Sequence, residues 1–269
     1  MKLLVQGDDY GFTKGVTLGM LEGIDHGVLT CSGLFVNMPD AEWAAAQMRA
    51  RPEFCWGIDF NLVTGPCCAD PRQIPHFVDV AGNFIRSGIT VRDPRWQSEV
   101  GRRAMFPFEE CYLEIRAQFD RYVKLVGKKP GYLNGHSINH ENLTAAIRQL
   151  AREEALPYTN DILEQFHFAW AVDIGGNEAT TKKIFDLARQ VNRNPLQYFM
   201  DHADDYLKQE YVFAGGHPGY VDAALFSQTS LSIERCRDLE MVLSPVLKQW
   251  IDDPHGMPRR RNLGADEIE

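Results

Sequence analysis

Six side chains able to do acid–base or ligand chemistry fall where short apolar runs end. Adjacent Asp8 and Asp9 close "KLLVQGDD", Asp59 stands inside "GIDFNLVTG", His136 and His140 share "GYLNGHSINH", and His217 lies in "AGGHPGY". Carboxylates and imidazoles carried on separate strand ends can converge on one face of a parallel α/β sheet. Gathered there, they suit an open divalent-metal site or a general acid–base pair. Each also has a plainer role. An Asp pair opening a helix can cap free backbone N–H groups, a single histidine can be a hydrogen-bonded structural group, and His217 before Pro218 can hold a turn. Asp59 is the hardest to explain structurally, because a buried carboxylate without a cation or a donor is strongly destabilising.

The elements that must position these residues alternate in type. "KLLVQG", "CSGLFVN", "CWGIDFNL", "GYLNGH" and "YVFAGG" have strand length and turn-residue flanks. Between and after them the pattern predicts helices over 14–26, 39–50, 107–127, 140–154, 180–190, 195–208 and 231–251. Strands alternating with helices mean parallel β/α units. With no internal repeat and no low-complexity linker, residues 1–252 read as one α/β domain; the Pro-, Gly- and Arg-rich segment at about 65–105 reads as an insertion over one end of the sheet, and 253–269 as a mobile tail.

Composition narrows the partners. Lys plus Arg number 28 against 37 Asp plus Glu, a net charge of −9, which argues against nucleic acid or an anionic membrane and favours a small-molecule substrate. No apolar run approaches the roughly 18 residues of a spanning helix, and the N-terminus reaches paired acids too soon for a secretory signal, so a cytoplasmic location is expected. The six cysteines form no CxxC pair and read as idle or buried thiols.

Taken together, these stretches resemble the YdjC-like carbohydrate deacetylases. "VQGDDYGFTKGVTLGMLEGIDHGVLTCSGLFVN" is similar to that family's start, "WGIDFNLVTG" to its Gly-x-His-x-x-Leu-Thr-x-Gly segment, "GKKPGYLNGHSINH" to its histidine-rich motif, and "GGHPGYVD" with the following "SIERCRDLEMVLSPVLKQWI" to its C-terminal stretch. The resemblance implies a distorted, TIM-like (β/α) barrel, a divalent metal, and hydrolysis of an acetamido group on a small, in many relatives phosphorylated, oligosaccharide. It further implies Asp9, Asp59 and His136 as metal ligands, Asp8 as general base and His217 as general acid, with His140 near the site, where it can hold His136 or a substrate hydroxyl. Trp56, Phe60 and Tyr220 flank these residues and could stack on a sugar ring, but packing against helices is the role favoured for each. Asp59 replaces a family histidine, and Tyr132 and Asn134 replace a histidine and an aspartate. Two carboxylates and one imidazole favour Mg2+ or Mn2+ over Zn2+. The altered motif also leaves open a sugar-binding or regulatory relative without turnover. A glycosidase using Asp8 and Asp9 is a weaker alternative, since neighbours on a strand point to opposite sides. Relatives are commonly dimers, and the apolar residues of 231–251 (Leu231, Ile233, Leu239, Met241, Leu247, Trp250) would serve either a homodimer contact or the barrel bottom.

Overall fold

The structure is a computed structural model that describes residues 1–171 and 185–252. Six strands, β1 (Lys2–Tyr10), β2 (Cys31–Leu34), β3 (Cys55–Phe60), β4 (Leu133–Gly135), β5 (Ala169–Trp170) and β6 (Tyr211–Gly216), form a sheet in the order β4-β3-β2-β1-β6-β5. Every pairing is parallel. The sheet curls into a half-barrel with helices around it, as expected of a distorted TIM-like barrel in one α/β domain. Parallel strands need crossovers, and the helices supply them.

Local signals explain where several helices begin and end. The helix α1 (Lys14–Asp25) starts at Thr13, whose hydroxyl accepts from the Val16 N–H. The helix Phe108–Val126 stops at Gly127, whose φ of 85° suits a residue without a Cβ. The expected helix over 231–251 is two helices, Ile233–Leu243 and Pro245–Asp252, because Pro245 lacks an N–H and drives Ser244 to an extended conformation. Likewise 195–208 divides into Pro195–Asp201 and Ala203–Tyr206. The reading of 180–190 falls partly outside the described residues, within which a helix runs Leu187–Asn192. The expected tail 253–269 lies wholly outside them.

The apolar surplus of the last two helices is absorbed within the chain. Leu239, Met241 and Leu247 are buried with Leu3, Val5 and Val212, and Trp250 stacks edge-on against Phe199. They close one side of the barrel, so they supply no argument for a second copy. Among the described residues, no helix is long and apolar enough to cross a membrane. The segment 65–105 folds as short helical turns joined by the antiparallel bridges Pro66–Asn83 and Val78–Phe84, and Arg86–Ile89 and Arg92 of this segment reach the cleft described next.

Candidate active site

A cleft of about 410 Å³ opens at the C-terminal end of the sheet. Its floor carries Asp9, His136 and His217, from the ends of β1, β4 and β6, together with Arg235. Asp9 reaches it through a local irregularity. The β1–β2 register shifts between Gly7 and Tyr10, and Asp9 adopts φ of 74°, a left-handed conformation that costs a non-glycine residue about 1–3 kcal/mol. The Asp9 N–H donates to Asp59 Oδ2 at 2.9 Å, which holds this turn in place.

Three groups surround the Asp9 carboxylate. Arg235 Nη2 meets Oδ2 at 2.6 Å, and His136 Nδ1 lies 2.9 Å from Oδ1. The second approach is not aligned with a ring N–H, so Oδ1 is buried without a hydrogen bond among the described residues. Burial alone would raise the Asp9 carboxyl, yet the charges of His136 and Arg235 outweigh it and hold the group well below the usual carboxylate range. His217 is the third group. Burial pushes its imidazole down to about 3, an effect that Asp9 opposes and Arg235 and His136 reinforce, so it stands neutral at ordinary pH.

Behind this floor is a second polar layer inside the barrel. Asp8, one residue before Asp9 and on the other side of the strand, accepts from Gln6 Nε2 at 2.7 Å and Asn134 Nδ2 at 3.3 Å. Asn134 also donates to Asp59 Oδ1 at 2.9 Å. Burial pushes both carboxyls up, Asp8 with help from the charge of Asp59, and Asp59, to about 6, with help from the charge of Asp9. The space Asp59 fills exists because position 33 is glycine: a Cβ there would lie 2.1 Å from Asp59 Oδ1. Asp8 is partly exposed and does not line the cleft.

The three residues expected to share an ion are therefore arranged unequally. Asp9 and His136 meet; both oxygens of Asp59 accept hydrogen bonds, one from the Asp9 backbone and one from Asn134. Among the described residues, no three His, Cys, Asp or Glu side chains are grouped so as to hold a metal. The remaining expectations fare differently. His140 caps the helix Glu141–Glu154, accepting from Asn142 N at 3.1 Å, and stacks on Phe106 at 4.9 Å, outside the cleft lining. Trp56 is buried, donates to Arg51 O and packs on Tyr10 and Phe54, while Tyr220 is bound through its hydroxyl to Glu22; neither lines the cleft. Phe60 is fully buried in the core.

Sequence reasoning expected a helix here but missed the part that Arg235 and Asp238 of the helix Ile233–Leu243 play in tying the floor together. Arg235 and Asp238 sit three residues apart on one helical face. Arg235 grips Asp9; Asp238 Oδ2 accepts the His217 N–H at 2.8 Å, and its Oδ1 pairs with Arg193 at 2.6 Å. A charged pair placed in register with Leu239 and Val242, on the buried face of a helix, was the available signal. The cleft's charge was also missed. Five arginines (Arg86, Arg92, Arg189, Arg193 and Arg235) face two carboxylates, Asp9 and Glu234, in a chain whose net charge is −9.

Comparison with known proteins agrees with this architecture. Residues 2–253 match the family described as YdjC-like protein. Carbohydrate deacetylase 2 of Listeria innocua serovar 6a is 28% identical over 261 residues, covering 94% of each chain. The carbohydrate deacetylase of Geobacillus stearothermophilus is 30% identical over 251 residues, covering 91% of this chain and 90% of its own. A crystal structure from Enterococcus faecalis V583 superposes with a TM-score of 0.73 at 22% identity, covering 94% of each chain. With the family match spanning nearly the whole barrel and its floor, the chain belongs to the YdjC-like family.

Proposed function

We propose that this protein hydrolyses the acetamido group of a small N-acetylated sugar that carries negative charge. The relatives named carbohydrate deacetylase and chitooligosaccharide deacetylase support the reaction. The observation that carries it in this chain is Asp9: a buried carboxylate, ionised by its neighbours, with one oxygen that faces His136 but takes no aligned hydrogen bond among the described residues, at the floor of a cleft large enough for a sugar.

That oxygen, buried and without an aligned hydrogen bond, fits a divalent ion. Asp9 Oδ1 and His136 Nδ1, 2.9 Å apart, are the two groups that would hold it, and so small a protein donor set of one carboxylate and one imidazole would suit Mg2+ or Mn2+, which keep several waters. When bound there, such an ion would polarise the acetamide carbonyl and acidify a water. Asp59 then serves by fixing the Asp9 turn through the backbone N–H. Asp8, raised by burial and by Asp59, is a stronger proton acceptor than an exposed carboxylate and is the base the family resemblance implies; because it does not line the cleft, its carboxylate must turn from Gln6 and Asn134 toward the attacking water to take the proton. His217 enters the reaction neutral, so the proton it hands to the departing amine is one acquired during the same turnover.

The arginines argue for the charge on the sugar. A cationic, partly enclosed wall concentrates anions and pairs with phosphate or carboxylate through N–H forks. Acetate release from an N-acetylated disaccharide and from its phosphorylated form, with Mg2+ or Mn2+, tests both halves of the reading. Arg189→Ala should raise KM for the phosphorylated form about tenfold and leave the neutral sugar unaffected; an equal effect on both would remove the anionic part.

A non-catalytic relative is the second reading. It is favoured by Asp59, whose carboxylate is engaged away from the ion position. A purified protein that binds the sugar but releases no acetate with any divalent ion would establish it.

A further inference from the structure

The Arg235 guanidinium has more hydrogen-bonding capacity than its known partners use. Its side chain is 1% exposed, Nε donates to Leu231 O at 3.1 Å, and Nη2 donates to Asp9 Oδ2 at 2.6 Å. Nη1 is buried and, among the described residues, has no acceptor. A charged donor left unpaired in a protein interior is unfavourable and rarely retained without a use. The residue forms part of the cleft wall, with the Phe12 ring 5.3 Å from Cζ.

The planar guanidinium cannot turn Nη1 elsewhere while Nη2 stays on Asp9. Nη1 is therefore held beside the Asp9 carboxylate, where the reacting group of the substrate must sit if the deacetylase reading is right. We infer that Arg235 is a catalytic residue whose Nη1 donates to the acyl oxygen of the scissile acetamide, and that the same N–H afterwards holds the product acetate.

The inference rests on the proposed reaction and adds a residue and a product site to it. Water adds to the acyl carbon, the C–N bond breaks, the amine leaves with protons drawn from that water, and the two oxygens of acetate are the acyl oxygen and the water oxygen. Through this sequence the acyl oxygen changes from a neutral carbonyl to an oxyanion to half of a carboxylate. A fixed cationic N–H gains interaction strength as that charge develops, which is the condition for lowering a barrier instead of only binding substrate. The second nitrogen meanwhile keeps Asp9 ionised and in place, so one side chain serves both the floor and the reacting atom.

Arg235→Lys separates the two duties, because lysine keeps the charge beside Asp9 but offers no rigid second fork. The expected result is kcat lower by about 10²–10³ with KM within a few-fold of wild type. The inhibition constant for acetate should also weaken at least about tenfold, while thermal melting remains cooperative. A purely structural role would lower stability and the active fraction yet leave the acetate inhibition constant unchanged, and that result overturns the assignment. So does a kcat equal to wild type. Should Arg235→Lys fail to fold, a crystal structure of the wild-type protein with acetate decides: an acetate oxygen within hydrogen-bond distance of Nη1 supports the inference, and acetate bound elsewhere, or not at all, overturns it. A wild-type protein that releases no acetate from any acetylated sugar would overturn the reaction itself, a failure distinct from these.

Discussion

Removing the Asp59 carboxylate should cost stability by a calculable amount. Asp59 is 1% exposed, and its two oxygens accept from the Asp9 N–H and from Asn134 Nδ2, each at 2.9 Å. Hydrogen bonds to a charged acceptor contribute about 1.5–3 kcal/mol each. Asp59→Ala loses both, leaving the Asp9 turn without its tether. Part of the loss is offset, because a buried carboxylate and its repulsion of Asp8 disappear with it. The net destabilisation should be about 2–4 kcal/mol, or roughly 5–10 °C in melting temperature for a domain of this size. Asp59→Asn keeps one acceptor for the Asp9 N–H, and Asn134 can rotate its amide to meet the new NH2, so its loss should be about 1 kcal/mol. Melting is measured with a chelator present, so that no bound ion contributes, and then repeated with Mg2+ or Mn2+. If Asp59 tethers Asp9 without ligating, the ion-induced rise in melting temperature survives in Asp59→Asn and vanishes in Asp9→Asn. An Asp59→Ala protein melting within about 1 °C of wild type would refute the tether, and loss of the ion-induced rise in Asp59→Asn would make Asp59 a ligand.

Three other outcomes follow from the geometry. Gly33→Ala would place a Cβ 2.1 Å from Asp59 Oδ1, so it should displace that carboxylate and cut activity at least tenfold by disturbing Asp9; unchanged kinetics would show the layer is not rigid. Glu114, fully buried, accepts from the Cys68 and Ala69 N–H groups and Gln118, and burial raises its carboxyl above the ordinary value despite those bonds. Its folded form thus binds a proton more tightly than its unfolded form, a stabilisation fully present below the unfolded value and lost as pH rises through the folded one. The melting temperature of wild type minus that of Glu114→Gln should accordingly fall as pH rises above the ordinary glutamate value of 4.5, whereas a rise would reverse the sign. Thr13→Ala removes the hydroxyl that caps α1 and should cost about 1 kcal/mol by denaturant titration, with a change below about 0.3 kcal/mol counting against the cap.

How much of this was legible in the sequence depends on distance along the chain. The strand ends carrying Asp9, His136 and His217 could be read because each follows a short apolar run bounded by turn residues, and the parallel sheet follows from the alternation of elements. Asp59 was legible as a carboxylate in need of a partner, but not which partner: a backbone N–H 50 residues away can be read from no side-chain pattern. Arg235 is 226 residues from Asp9, and only the folded barrel brings its helix against β1. The capping role of His140 was not legible, because a helix cap is ordinarily Ser, Thr, Asp or Asn and a histidine in that place reads as chemistry. Trp56 lies three residues before Asp59, an odd spacing that puts the two on opposite faces of the strand, so its ring turns into the helix layer, the packing role favoured from the sequence. The strand Ala169–Trp170 and the helix Thr159–Gln165 are too short to show a period.

The central claim is that Asp9 organises a deacetylating site at the floor of an arginine-walled cleft. The most direct test is acetate release from a phosphorylated, N-acetylated disaccharide by wild type and by Asp9→Asn, each with Mg2+ or Mn2+ and each with a chelator. The account predicts ion-dependent release by wild type and at least about a 10²-fold loss in Asp9→Asn. Equal release by the two proteins, or none by wild type with any divalent ion, would contradict it.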